Sequence, residues 1–301
     1  MLIRDDLYLC AFAVAIGSTA SNAGASAAAP SASSLGFYYE DSMRRNPEVR
    51  SIQIDGTGRL ERHVIRTETV TVPEHVHGYP DVAFGGYVAG LVAGPCEATE
   101  IRVDFRARVP LETPMSLRPT RSGGYALTDT DGALLAESTP AVLTIDPPSA
   151  PSWAEAKSVT DAAMVSRRVT DCYGCGAACA PGRGLRLLTW DTADHDLVLA
   201  AWTPDPELAD ESGRLPPEVV WSALDCPGGW TAMRKQGMGF GGVTAALTAT
   251  QLQPIYPDSP YISYAWPVSH QGRKYTVGIA LATPSGDLCA VAEALWIQPK
   301  P

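Results

Sequence analysis

Asp225 is an aspartate that packing does not easily explain. It lies in the mostly apolar stretch 217–233, four residues after Trp221 and two before Pro227. On a helix, residues four apart share a face, so the carboxylate and the indole belong together. Pro227 carries no amide proton and its ring crowds the carbonyl of Ala223, so the helix should kink or stop there. Gly228 and Gly229 would then permit an unusual path. A carboxylate at such a break could serve as a nucleophile, as a base toward water, or as a proton shuttle. Apolar surroundings would raise its pKa and suit it to that work. The plain alternative is that Asp225 hydrogen-bonds the kinked backbone.

A second candidate is the pair Gly85 and Gly86, which opens the helical segment 84–94 (FGGYVAGLVAG). Amide N–H groups point out freely at a helix start and can hold an oxygen that gains negative charge. Gly90 and Gly94 extend the small-residue strip, and close packing of helix on sheet accounts for them. His75 and His77 lie just upstream in Glu74-His75-Val76-His77-Gly78, where an imidazole can move protons near neutral pH. His63, His195 and His270 have no special context. Cys172-x2-Cys175-x3-Cys179 looks like half of a zinc ribbon, but no second Cys-x2-Cys or His pair follows at suitable spacing. Cys226 and His195 could be recruited, yet nothing marks them, so neither a metal nor a cofactor is expected. Cys226 as a nucleophile is disfavoured, since the adjacent carboxylate raises its pKa. The run 237–242 (GMGFGG) lacks the Lys-Ser/Thr of a phosphate loop and connects helix to sheet.

The elements that must position these residues come in two similar sets. After the first helical segment come strand-like runs at 100–109, 115–120, 124–130 and 133–145. The second set has runs at 185–190 and 197–202, the helical stretch 217–233, then runs at 242–252, 261–268, 274–282 and 288–297. In IRVDFRARV the residues Ile101, Val103, Phe105 and Ala107 share one face and the charges the other, the mark of a half-buried antiparallel strand. Asp131-Gly132 and Ser285-Gly286 signal matching hairpin turns in the two sets. Residues 36–146 form a first unit and 172–301 a second, and the Pro-rich stretch 147–171 is a linker with a short helix. Residues 1–35 form a disordered, Ala/Ser-rich leader or start-site extension. An export signal is the alternative, weakened because Arg4 is offset by Asp5 and Asp6.

Composition sets outer limits. The 301 residues carry 23 Lys+Arg against 33 Asp+Glu, a net charge of −10 that argues against a nucleic-acid partner. No apolar run is long enough to span a membrane. The seven cysteines are an odd count, which speaks against a disulfide-stapled secreted scaffold and for the reducing cytoplasm.

One helix followed by a long antiparallel sheet, twice over, resembles the double hotdog fold. Phe84-Gly85-Gly86-Tyr87-Val88-Ala89 is similar to the His-Gly-Gly start of the central helix in hotdog thioesterases, with Phe in the His place. The second half resembles a group of actinobacterial hotdog-like proteins. It does so in Cys172-Tyr-Gly-Cys175-Gly, Gly182-Arg-Gly-Leu185-Arg and Trp202-Thr-Pro-Asp-Pro206. Further matches are Pro216-Pro-Glu-Val-Val-Trp221, Leu224-Asp-Cys-Pro-Gly-Gly-Trp230 and Ala294-Leu-Trp296-Ile. The likeness runs over roughly residues 60–298. It implies an α+β architecture with two long antiparallel sheets, each wrapping one central helix and paired at their edges.

The resemblance also implies a substrate class, an acyl thioester of coenzyme A or of an acyl-carrier protein. Hotdog thioesterases place a carboxylate about two turns into the helix, the position of Asp225. Ala93 stands at the corresponding place in the first unit, so one competent site per chain is implied. Gly85 and Gly86 would hold the thioester carbonyl, with Tyr87, Trp221 and Trp230 as further substrate contacts. His77 would face Asp225 across the channel between the units, as in the His–Asp pair of hotdog dehydratases. Arg121, Arg183, Arg186 and Lys235 could meet the phosphates of coenzyme A. The reading is thioesterase-type hydrolysis of an acyl or polyketide chain. The alternatives are dehydration, with or without aldol-type chemistry, and a hotdog module that binds acyl groups without turnover. Monomer and homodimer are both compatible with the pattern.

Overall fold

The computed structural model describes residues 49–54, 60–64, 67–166, 170–193 and 196–300. The leader and His195 lie outside the described residues. The chain divides into two units, residues 1–64 and 65–301. In the first, β1 (Val49–Ile54) and β2 (Leu60–Val64) pair antiparallel.

The second unit is built on one antiparallel sheet of eleven strands. Its first half contains β3 (Glu68–Val70), β6 (Glu100–Phe105), β7 (Met115–Pro119), β8 (Tyr125–Thr128) and β9 (Leu134–Pro140). Two short strands, β4 (His77–Tyr79) and β5 (Val82–Ala83), pair apart from it. Its second half contains β10 (Trp190–Asp191), β11 (Val198–Trp202), β12 (Val243–Gln251), β13 (Tyr261–Gln271), β14 (Lys274–Ala282) and β15 (Leu288–Ile297). The order across the sheet is β10-β11-β13-β14-β15-β12-β6-β9-β8-β7-β3. The halves join where β12 pairs with β6, setting Leu247 opposite Val103 and Ala249 opposite Ile101. The two expected sheets are therefore continuous. Pairing the inner edges satisfies backbone groups that two separate sheets would leave open.

The expected alternation holds in β6. Ile101 and Val103 are buried, while Arg102 and Asp104 on the other face form an ion pair at 2.8 Å. Along β11, residues 261–265 of β13 and residues 275–282 of β14, both faces are mostly covered, so nearly every residue there is apolar. Val198, Trp202, Tyr261, Val277 and Ile279 face the main core; Leu199, Ile262, Tyr264, Ala280 and Ala282 face a second cluster. That second cluster includes Ala156 of helix α2 (Trp153–Ser166), in the segment expected as a linker. Thr160 of α2 also accepts the Ala201 amide of β11 at 2.8 Å. Gly132 and Gly286 take positive φ (84° and 93°) at the two hairpin turns, as the turn signals required.

The run 185–190 departs from expectation, because only Trp190 and Asp191 are strand. Leu185 and Leu187 are buried, but their amides bond the carbonyls of Tyr173 and Gly174 rather than a neighbouring strand. The apolar run anchors a loop instead of extending the sheet.

Helix α1 (Gly85–Ala93) lies against α3 (Pro217–Ala223), and α4 (Cys226–Lys235) follows α3 after a break. That break, at Leu224 and Asp225, falls where Pro227 dictates, and Pro227 itself occupies the first turn of α4, where a missing amide costs nothing. Gly228 and Gly229 are ordinary helical residues, not an unusual path. They seat an indole: a Cβ on Gly229 would stand 2.7 Å from Cη2 of Trp296. The strip on α1 also differs from expectation, since it meets a helix rather than the sheet. A Cβ at Gly90 would stand 2.5 Å from the Glu218 Cα, and one at Gly94 would stand 3.3 Å from the Pro217 side chain.

Candidate active site

Asp225 occupies the junction between α3 and α4 and is 1% exposed. Its Oδ2 accepts the Gly86 amide N–H at 2.8 Å, and its Oδ1 accepts the Thr244 hydroxyl at 2.6 Å. The carboxylate makes no capping bond to its own helix. It caps α1 from across the interface. Helix α1 needs that help: its N-cap residue Phe84 offers no side-chain acceptor, and its first turn holds no acid. The plain alternative for Asp225, a bond to the kinked backbone, is thus replaced by a bond to a residue 139 positions away.

Burial raises the Asp225 carboxyl to about 6; the Thr244 and Gly86 hydrogen bonds oppose that shift, and the Cys175 thiol adds to it. Gly86 fits only because it lacks a side chain, since a Cβ there would stand 2.6 Å from the Ser222 Cα and 2.8 Å from the Asp225 Cβ. Thr244 comes from the start of β12, beside a register shift in its pairing with β15. Sequence reasoning missed it, because threonine is an ordinary strand residue and nothing local marks this one.

Tyr79 is a second residue that sequence reasoning missed. Its hydroxyl donates to the Gly242 carbonyl at 2.8 Å, and its ring meets Phe240 edge-on at 6.0 Å. Burial, reinforced by Cys226, Cys172 and Asp225, pushes this phenol up to about 12 and keeps it neutral.

The structure does not pair His77 with Asp225. The His77 Nε2 lies 3.7 Å from the exposed carboxylate of Asp171, in line with the backbone bond from the Tyr173 amide to the His77 carbonyl. Together with His75, Glu112 and Arg183 it lines an open cleft of about 680 Å³. Burial, followed by Arg183, holds the His75 pKa below its usual value. Tyr87 packs edge-on against Tyr173 at 5.8 Å, Trp221 is buried in the core, and Trp230 packs on Trp190 at 5.5 Å. Of the expected site residues, Gly85, Gly86, Trp221 and Asp225 come together. Gly85 and Gly86 face Asp225, and the Trp221 carbonyl lies against Gly86.

Three cysteines also converge here. The sulfurs of Cys172, Cys175 and Cys226 all lie within 4.8 Å of one another, with Cys172 and Cys226 at 3.8 Å. Contact with the other two thiols, followed by burial, pushes the Cys226 thiol well up; the cause is these thiols rather than the adjacent carboxylate. Among the described residues no helix is long and apolar enough to cross a membrane.

No protein-family model matches the chain, and no curated protein matches it. Solved structures do. The chain is similar to a conserved protein of unknown function with hotdog fold from Alicyclobacillus acidocaldarius. That match has 15% identity and a TM-score of 0.51, and covers 84% of this chain and 97% of the other. It is also similar to a candidate thioesterase II from Thermobifida fusca YX, with 12% identity, coverage of 84% and 98%, and a TM-score of 0.50. An acyl-CoA thioesterase II, TesB2, from Mycobacterium marinum matches with 12% identity, coverage of 85% and 97%, and a TM-score of 0.46. The mostly-sheet α+β architecture is that of the hotdog fold.

Proposed function

We propose that the protein is a double-hotdog acyl-thioester hydrolase with Asp225 as its reactive carboxylate. Its substrate would be an acyl or polyketide chain on coenzyme A or an acyl-carrier protein in the cytoplasm. Of the expected units 36–146 and 172–301, the parts within residues 65–301 would form the two hotdog units, with α1 and the α3–α4 pair as their central helices. One observation carries the reading: Asp225, the one fully buried carboxylate residue among the described residues, stands where the halves meet, held by the Gly86 amide of one and the Thr244 hydroxyl of the other. The name of the similar Thermobifida fusca structure, a thioesterase II, supports it.

In this reading the two hydrogen bonds favour the charged carboxylate, which takes a proton from water as the water oxygen adds to the thioester carbonyl. The Gly85 amide, first of α1, has no acceptor inside its helix and is left for the carbonyl oxygen as negative charge develops there. Gly86 is already committed to Asp225, so the carbonyl relies on one of the two expected amides rather than both. The C–S bond then breaks and the departing thiolate regains a proton, giving a carboxylic acid and a free thiol. Hydrolysis is preferred to dehydration because the nearest carboxylate to the His77 imidazole is that of Asp171, at 3.7 Å, and no contact joins His77 to Asp225.

A second reading, acyl binding without turnover, is favoured by the burial of Asp225 and the commitment of both its oxygens. The deciding experiment incubates the full chain and Asp225→Asn with a panel of acyl- and 3-hydroxyacyl thioesters of coenzyme A and carrier protein, read by mass spectrometry. Free thiol plus acid, lost in the variant, is the expected result. A thioester lighter by one water would make the protein a dehydratase. Unchanged thioesters throughout would overturn catalysis and leave the binding role.

A further inference from the structure

We propose that Cys172, Cys175 and Cys226 form a binding site for a thiophilic divalent cation, zinc in the cell, that ties the 172–176 loop to the start of α4. The first support is spacing. Zinc–sulfur bonds of ~2.3 Å at the tetrahedral angle set two sulfurs ~3.8 Å apart. A disulfide would hold them at ~2.05 Å. Cys172 and Cys226 stand 3.8 Å apart, and all three sulfurs fall within 4.8 Å.

The second support is how the loop is built. The Gly176 amide closes on the Cys172 carbonyl at 2.7 Å. The first and second cysteines thus sit on one tight turn, as a chelating pair requires. Gly174 lets α4 approach, because a Cβ there would stand 2.9 Å from the Cys226 sulfur. Cys226 is the first residue of the ten-residue α4, so the helix start fixes its position against the loop.

Cys175 and Cys226 are buried, and Cys172 is partly exposed and leaves a route for the ion. Binding releases three thiol protons to solvent and forms three metal–sulfur bonds, with no change of oxidation state. A tetrahedral ion on three thiolates keeps one position for solvent or an added ligand. The ligand set was hidden in the sequence because Cys226 lies 54 residues beyond Cys172.

The test reads metal, not turnover, so its outcome is separate from that of the hydrolase reading. The full chain, purified without added metal, is assayed for bound elements, then stripped with a chelator and titrated with Co²⁺. The expected result is about one zinc per chain, and a cobalt form showing sulfur-to-metal charge transfer and the intense visible bands of a tetrahedral site. Cys172→Ser and Cys226→Ser should lose that spectrum, while Cys289→Ser, outside the cluster, should keep it. A wild-type chain with neither zinc nor a cobalt spectrum would overturn the proposal. So would a non-reduced chain lighter by two hydrogens with Cys172 and Cys226 cross-linked. Both of these results are read on the wild-type protein, so a variant that fails to fold does not shield the proposal.

Discussion

Replacing Gly90 with alanine tests whether α1 and α3 touch backbone to backbone. The new Cβ would stand 2.5 Å from both the Glu218 Cα and the Pro217 carbonyl oxygen. Ordinary carbon contacts lie at ~3.5–4.0 Å, so the helices must part by about 1 Å. Both obstacles are backbone atoms, and no side chain can swing aside. On an exposed helix, Gly→Ala gains ~1 kcal/mol. Forcing a methyl into a packed interface costs ~1–3 kcal/mol, and parting the helices strains the Gly86–Asp225 bond, whose loss leaves a buried amide unpaired at a further ~1–3 kcal/mol. The net expectation is a loss of about 1–5 kcal/mol. Gly94→Ala is the matched control: its φ is −52°, and outside its own helix the new Cβ would meet only a side chain, that of Pro217, at 3.3 Å. Its effect should stay within ~1 kcal/mol. Urea unfolding followed by circular dichroism would give both values at a common slope. A Gly90→Ala protein as stable as wild type would refute the contact and the packing argument with it.

Ser138 is fully buried, accepts the Tyr125 amide at 2.8 Å and donates to the Val92 carbonyl of α1 at 2.9 Å. Ser138→Ala should therefore cost ~1–3 kcal/mol in urea unfolding, and an unmoved midpoint would show that these groups find other partners. Thr244→Val keeps the shape but removes the hydroxyl donor that meets Asp225 at 2.6 Å. On the hydrolase reading, losing a hydrogen bond to a charged group, ~1.5–3 kcal/mol, should lower kcat by roughly 10- to 100-fold while KM holds. Thr244→Ser should restore it, and a fully active Thr244→Val would remove Thr244 from the site.

Local signals carried a large part of the fold. The strands at 274–282 and 288–297 coincide with the apolar runs, because hydrophobic patterning and turn residues such as Gly286 act over a few neighbouring positions. The helix break before Pro227 is equally local, since one missing amide and one bulky ring suffice to cause it. Asp225 could be singled out for the same reason: a charge in an apolar helix at a proline break stands out without any partner being known. The sequence also pointed to Gly85 and Gly86, whose amides had to open a helix.

What those residues meet was decided only by the tertiary structure. Gly86 and Asp225 are 139 positions apart, Asp225 and Thr244 are 19 apart, and Cys172 meets Cys226 across 54. His77 turned to Asp171 instead of Asp225, and the strip of α1 glycines met a helix instead of the sheet. A hydrogen bond or a close backbone contact between distant segments depends on how whole layers register against each other. That register follows from the joining of β6 to β12 and from the two apolar clusters on opposite faces of β11, β13 and β14, sums over many side chains to which no short stretch of sequence answers.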